Sequence, residues 1–275
     1  MPRSVLITGA SKGIGRATAL HLDRLGWQVF AGVRQDKDAD ALRRDGSERL
    51  VPLLLDVTDG AAIRAAAWQV EQAAPHGLDG LVNNAGIVVA GPLEIVPLDE
   101  FRRQLEVNTV GALAVTQGFL PQIHEAGGRI VNVSSINGRV ATPFAGAYAA
   151  SKFALEAASD ALRMELRHFG IPVVVVQPGA IQTPIWATAK ARAEKNLARM
   201  GGGGRYAKII RRLLDRSGGP PRHAIPAERV ARVIHRALTT RRPRARYLVG
   251  WDARAGAWLR WLAPDRLMDR LILRR

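Results

Sequence analysis

The chain has 275 residues, 47% of them apolar, enough for the core of one large α/β domain spanning 1–275. It contains no cysteine, which excludes disulfides, thiol nucleophiles and cysteine metal sites, and its six histidines show no H-x-x-x-H spacing, so no metal is expected. The net charge of +16 is unevenly placed: residues 1–180 hold 17 Lys and Arg against 18 Asp and Glu, residues 181–275 hold 23 against 6.

That asymmetry fits an arginine-rich solvated surface, and it also invites nucleic acid or an anionic membrane as a partner. No apolar run reaches bilayer length, and Met1-Pro-Arg-Ser leads into the first apolar run with no signal-type stretch. A cytoplasmic protein is expected.

Ser4-Val-Leu-Ile-Thr8 reads as a buried strand, followed by Thr8-Gly-Ala-Ser-Lys-Gly-Ile-Gly15 and then a helical pattern from Arg16 to Leu25 that stops at Gly26. A strand, a glycine turn and a helix in this order suit a pyrophosphate, because glycines admit close backbone approach and the helix N-terminus offers free N–H groups. The spacing is G-x-x-x-G-x-G rather than G-x-G-x-x-G. The second strand, Gln28 to Val33, places Val33 where an NAD enzyme would carry an acidic residue, and Arg34 comes next. A guanidinium there favours a 2′-phosphate, and Lys12 could add a second charge beside it, although either side chain could instead point to water.

Leu50 to Val57 reads as a third strand ending at Asp56, and Ala61 to Ala74 as an alanine-rich helix. Leu78 to Gly86 forms a fourth strand and its turn, Asn83-Asn-Ala-Gly86. A long helix is expected from Leu98 to Glu125 with Asp99 as its N-cap. Arg129 to Ser135 is a fifth buried strand, and the following helix runs from the Tyr148 region to Phe169, stopping at Gly170. On it Tyr148 and Lys152 stand four residues apart on one face. Many solvated helices carry such a pair. A fixed ammonium is nevertheless one way to stabilise a phenolate by the roughly 4 kcal/mol that acid–base work near neutrality requires. Val173 to Gln177 is strand six, delivering Pro178 and Gly179. Six helix-separated, continuously apolar strands argue for a parallel sheet covered on both faces, with ligands at the carboxyl ends of its strands.

Residues 186–225 read as a mobile insertion, with glycines at 201–204 and Gly218-Gly-Pro-Pro221 around a basic helical stretch, Arg205 to Arg216. Pro226 to Thr240 is a helix, Arg244 to Val249 a seventh strand, and 251–275 a basic amphipathic helical tail. Asp252 and Asp265 are candidate N-caps of two tail helices separated by Pro264. Trp258, Trp261 and Leu262 form one apolar stripe, and Leu267, Met268, Leu271 and Ile272 another. Arg260, Arg266, Arg270, Arg274 and Arg275 lie around them. Such a tail docks on its own domain or a sister subunit, or it rests on an anionic membrane.

The glycine turn, Asn83-Asn-Ala-Gly86, Ser135 and the Tyr148/Lys152 pair, in this order over residues 4 to about 185, resemble the short-chain dehydrogenase/reductase family. The resemblance implies a doubly wound Rossmann-type sheet of about seven strands. It implies a catalytic set of Asn108, Ser135, Tyr148 and Lys152, with Asn108 at a helix kink feeding protons towards Lys152, and Ser134 turned into the core. It also implies cofactor contacts from Thr8, Gly9, Ser11, Lys12, Gly13, Ile14, Gly15, Arg34, Asp56, Val57, Asn84, Ala85, Gly86, Tyr148, Lys152, Pro178, Gly179, Ile181 and Thr183, with Asn83 bracing the sheet. For Asp56, the chemistry alone fits an adenine contact and a cap or turn residue equally.

The expected activity is therefore NADP(H)-dependent interconversion of a carbonyl and an alcohol, on a lipophilic, steroid- or retinoid-like substrate covered by 186–225. Reduction of 3-oxoacyl thioesters is the enzymatic alternative, and an NADPH-responsive nucleic-acid-binding protein the weaker, non-catalytic one. The resemblance further implies a homodimer or homotetramer paired through the helices carrying Asn108 and Tyr148.

Overall fold

The computed structural model describes residues 2–216 and 219–273. Strand and helix alternate from the start: β1 (Ser4–Ile7), α1 (Gly13–Arg24), β2 (Gln28–Val33), α2 (Asp36–Asp45), β3 (Leu50–Leu54), α3 (Gly60–Ala73) and β4 (Gly80–Asn83). α4 (Leu98–Leu105) passes through a π turn at Glu106–Val110 into α5 (Gly111–Glu125), and β5 (Arg129–Val133), α6 (Gly146–Glu165) and β6 (Val173–Pro178) follow. The remainder comprises β7 (Ile181–Gln182), α7 (Ile185–Arg199), α8 (Ala207–Arg216), β8 (Ile225–Pro226), α9 (Ala227–Thr239), β9 (Arg246–Val249), α10 (Trp251–Leu262) and α11 (Asp265–Leu273).

Seven strands form one parallel sheet in the order β3-β2-β1-β4-β5-β6-β9, and β7 and β8 pair separately. Successive side chains of a strand face opposite ways, and here both faces are covered. Val5 and Ile7 of β1 join one core with Leu22 of α1 and Ile234 of α9, while Leu6 joins the other with Phe30, Ile63 of α3 and Phe119 of α5. Phe30 and Phe119 are fully buried, each worth roughly 1.5–3 kcal/mol over an exposed position. Strand order reverses between β1 and β4, so the connections that follow their carboxyl ends run to opposite faces of the sheet and leave a crevice.

Several local expectations are corrected. β3 ends at Leu54, two residues short of Asp56, because Asp56 turns the chain by accepting bonds from the Thr58 amide and hydroxyl at 3.0 and 2.8 Å. Pro97, not Asp99, precedes the first turn of α4, and Asp99 instead pairs with Arg199 at 2.7 Å. Gly250 precedes α10, and Pro264 accepts the amides that open α11, so neither Asp252 nor Asp265 caps its helix. α2 was not foreseen: its sequence is almost wholly polar and only Ala39 and Leu42 are buried.

The segment expected to be mobile contains α7 and α8, joined by Gly201 to Gly204, all at positive φ. Arg199 and Arg205 pair with Asp99 and Glu94 on its border. These pairs are exposed and add little, so burial of Ala193, Met200 and Ile210 is what holds the segment. Gly218, Arg274 and Arg275 lie outside the described residues. No helix among the described residues is long and apolar enough to cross a membrane.

Candidate active site

A cleft of about 600 Å³ opens beyond the carboxyl ends of β1 and β4. Gly9 and Gly13 have φ of +66° and +59°, conformations that side chains rarely adopt, and a Cβ on Gly9 would stand 2.8 Å from the Ala85 Cα. Lys12 at the N-cap of α1 makes no side-chain cap, and the first turn carries no acid, so the amides there remain available to an anion. This cradle fits a dinucleotide pyrophosphate.

Ser11, Lys12, Gly13, Ile14, Ala85 and Gly86 line the cleft, whereas Thr8 does not. The Thr8 hydroxyl accepts the Asn84 and Ala85 amides, each at 3.0 Å, and the Asn84 side chain donates to the carbonyls of Thr8 and Gly9 at 2.9 and 3.1 Å. Thr8 and the Asn84 amide thus tie the two strand ends together. Gly15 lies behind the cleft wall, buried, at the point where α1 crosses the turn. Asn83 bonds Thr116 and Asn132 at 2.9 Å each, bracing three elements across the sheet.

Arg34, Asp56 and Val57 line the far end of the cleft. Burial raises the Asp56 pKa, but the two Thr58 bonds and the charges of Arg34 and Arg103 outweigh it and hold the carboxyl below its ordinary range. Asp56 is therefore a turn residue and a cleft residue at once.

Ser135, just beyond β5, accepts the Asn137 amide at 3.1 Å, and its hydroxyl interacts with Tyr148 on α6 in a way that favours the phenolate. Ser134 is buried, its hydroxyl facing Gly138 against α6. Tyr148 is only partly exposed, and burial pushes its pKa up while the Ser135 hydroxyl pulls it down. Lys152 donates to the Val133 carbonyl at 2.9 Å and lies 5.8 Å from the Tyr148 ring centroid. Burial lowers its pKa to about 8, opposed by Glu156 one turn on. That carboxylate accepts from Gln177 at 2.8 Å and pairs with Arg246 at 3.0 Å. Asn108 sits inside the π turn, its amide bonded to Ile87 N and O at 2.8 and 3.1 Å and to Ser151 at 3.0 Å.

Tyr148 lines a second cavity as well, of about 550 Å³. Ser135, Pro178, Gly179 and Ile181 lie here and not in the first cleft, whereas Thr183, like Tyr148, lines both and stands at the boundary between the two. The outer walls are apolar: Phe144, Trp186, Met200 and Ile210, the last three from the 186–225 segment. Sequence reasoning missed two residues here. Phe144 has φ +64°, the one non-glycine in the left-handed region among the described residues. Asp252 accepts the Ala180 amide at 2.6 Å and so holds the Pro178–Ala180 turn from the start of α10. Neither has a local signal, since both are defined by contacts made over long sequence separations.

A doubly wound sheet with a glycine cradle at its switch point, and a Ser–Tyr–Lys set beside an adjoining cavity, defines a nicotinamide-dependent oxidoreductase. The family model described as short chain dehydrogenase matches residues 3–194. Retinol dehydrogenase 5 of Homo sapiens is 39% identical, covering 98% of this chain and 86% of that protein. A short chain dehydrogenase from Burkholderia cenocepacia solved with NADP superposes with a TM-score of 0.77 at 26% identity, over 98% of both chains. One from Burkholderia phymatum solved with NAD gives 0.78 at 25%, over 100% of this chain and 95% of that one. The chain belongs to the short-chain dehydrogenase/reductase family and is an enzyme acting on CH–OH groups.

Proposed function

We propose that this enzyme uses NADP(H) to interconvert a lipophilic carbonyl compound and its alcohol, of steroid or retinoid-like character. The observation that carries the reading is the apolar cavity of about 550 Å³ that meets the cofactor cleft at Tyr148 and Thr183 and has Ser135 on its wall. An elongated apolar substrate fits it, and the similarity to a retinol dehydrogenase supports that class over acyl thioesters. The bound cofactor supplies hydride in reduction and accepts it in oxidation. Ser135 holds the substrate oxygen, Tyr148 gives or takes its proton, and the Lys152 charge favours the phenolate form and binds the nicotinamide ribose. Asn108 keeps the proton relay in register by fixing α4 and α5 to Ile87 and Ser151.

Arg34 at the cleft end, with no acidic residue at Val33, supports the preference for NADP(H). Wild type is expected to bind NADP⁺ at least about tenfold more tightly than NAD⁺, and Arg34→Asp to reverse the order. Fluorescence titration of the two cofactors reads this, and a wild type preferring NAD⁺ overturns it. NADPH consumption with retinoid and steroid carbonyls against acyl thioesters reads the substrate class.

A second reading concerns the tail. α10 docks through buried Ala253 and Ala257, and α11 buries Met268, while Trp258, Trp261 and Leu262 are 67%, 81% and 57% exposed. Trp251, at the start of α10, stacks edge-on with His223 on the rim of the apolar cavity. The docked tail thus leaves an aromatic stripe outward, and we read it as resting on an anionic membrane surface beside the substrate mouth. Exposed Val110, Leu113 and Phe153 near the π turn and on α6 support a separate subunit contact. Co-sedimentation with anionic vesicles should fall at least about threefold for a chain ending at Trp251, with analytical ultracentrifugation showing unchanged subunit association. Equal vesicle binding by both chains, or loss of association on truncation, assigns the stripe to protein contacts instead.

A further inference from the structure

The far end of the cofactor cleft gathers more positive charge than Arg34 and Lys12. Arg102 and Arg103, from α4, line it, and so does Arg192 from α7. With Arg34 after β2 and Lys12 before α1, these residues come from four stretches of the sequence.

Arg192 is held in an unfinished state. Its side chain is 20% exposed, and its Nη1 stands 3.6 Å from Glu100 Oε2, within ion-pair range but too far for a hydrogen bond. Both atoms are buried without a hydrogen-bond partner. A buried donor left unpaired is costly. Burial depresses the Arg192 pKa, Glu100 opposes this, and Arg103 and Arg34 depress it further, which places three guanidiniums within mutual repulsion. An anion among them removes the repulsion and supplies acceptors.

The same helix also forms a wall of the other cavity. Thr188 and Arg192, four residues apart, line the cofactor cleft, whereas Trp186, Ala189 and Ala193 line the substrate cavity. Lys12 of the glycine turn reaches Thr188 at 3.4 Å, which ties α7 to the cradle.

We propose that Arg192 completes, with Arg34, the site for the cofactor's 2′-phosphate, so that this phosphate fastens the helix that walls the substrate cavity. The inference rests on the NADP(H) reading above and adds a residue and a coupling to it. The coupling is reciprocal: a 2′-phosphorylated cofactor positions α7, and an apolar ligand that packs on α7 tightens that cofactor. A cofactor lacking the phosphate leaves Arg192 with Glu100 alone.

The test measures binding, not turnover. Affinities of 2′,5′-ADP and 5′-ADP, and of NADP⁺ and NAD⁺, are determined by calorimetry for wild type, Arg34→Met, Arg192→Met and Arg192→Lys. Methionine keeps the apolar stem, and lysine keeps the charge without the planar fork. Arg192→Met should weaken 2′,5′-ADP and NADP⁺ by roughly tenfold or more, the scale of one charge-assisted hydrogen bond. It should leave 5′-ADP and NAD⁺ unchanged, and Arg192→Lys should recover part of the loss. In wild type, NADP⁺ but not NAD⁺ should raise the affinity for a retinoid ligand, an advantage that Arg192→Met removes. Equal losses for phosphorylated and unphosphorylated ligands, or none, overturn the role of Arg192. If wild type discriminates through Arg34 while Arg192→Met keeps the full ratio, only this inference falls. If wild type does not discriminate at all, the NADP(H) reading falls with it.

Discussion

Tyr148→Phe is expected to lower kcat by about 10³-fold or more while NADPH affinity stays nearly unchanged. The substitution keeps the ring, and with it the wall shared by the two cavities, and removes only the hydroxyl that faces Ser135. Positioning of the two reactants remains and supplies the residual rate. In wild type the reduction rate should also fall as pH rises through about 8. Lys152 has its pKa depressed by burial to that value, so its charge is present below it and lost above it. Single-turnover NADPH oxidation across pH reads both effects. A Phe variant retaining a tenth of the wild-type rate would remove Tyr148 from the chemistry.

Gly15→Ala is expected to destabilise the fold by about 1–3 kcal/mol and to weaken NADPH binding by about a hundredfold. The added Cβ would overlap the Gly9 carbonyl oxygen and stand 2.5 Å from the Asn84 side-chain nitrogen. Neither atom can yield freely, because Asn84 donates to that carbonyl and to Thr8. α1 must therefore move off the turn, taking its free amides away from the pyrophosphate. Gly26→Ala is the control: it has φ +84° with nothing within 4 Å of the new atom, so it should cost about 1 kcal/mol and leave cofactor binding intact. Thermal unfolding and NADPH titration separate the two. Equal NADPH affinity in Gly15→Ala and wild type would mean that α1 does not form the pyrophosphate site.

The parts of the fold that could be read along the chain are those whose cause is local. A strand buried on both faces is a continuous apolar run, so β2 was expected at its observed bounds, Gln28–Val33. A helix stop needs a residue that tolerates positive φ, and Gly170, at φ +70°, follows the helix and short turn ending at Phe169. Glycine spacing between β1 and α1, and the four-residue step from Tyr148 to Lys152, are likewise properties of one short stretch.

Tertiary structure decided whatever depends on which stretches meet. Thr8 was expected at the cofactor, but its hydroxyl is used by the amides after β4, a contact made when strand order reverses. Asp56 could be a turn or a cleft residue, and only the folding of its strand end beside Arg34 and Arg103 makes it both. The tail stripe was visible as a pattern, yet whether it faced inward depended on the docking of Ala253 and Ala257, which turns Trp261 outward. Arg192 shows the same division most clearly. In sequence it is one arginine among many in a basic third. In space α7 carries it across the cleft to Arg34, 158 positions earlier in the chain. Periodicity and turn chemistry are written over a few residues, whereas a binding site is made by side chains that the folded core brings together from distant stretches.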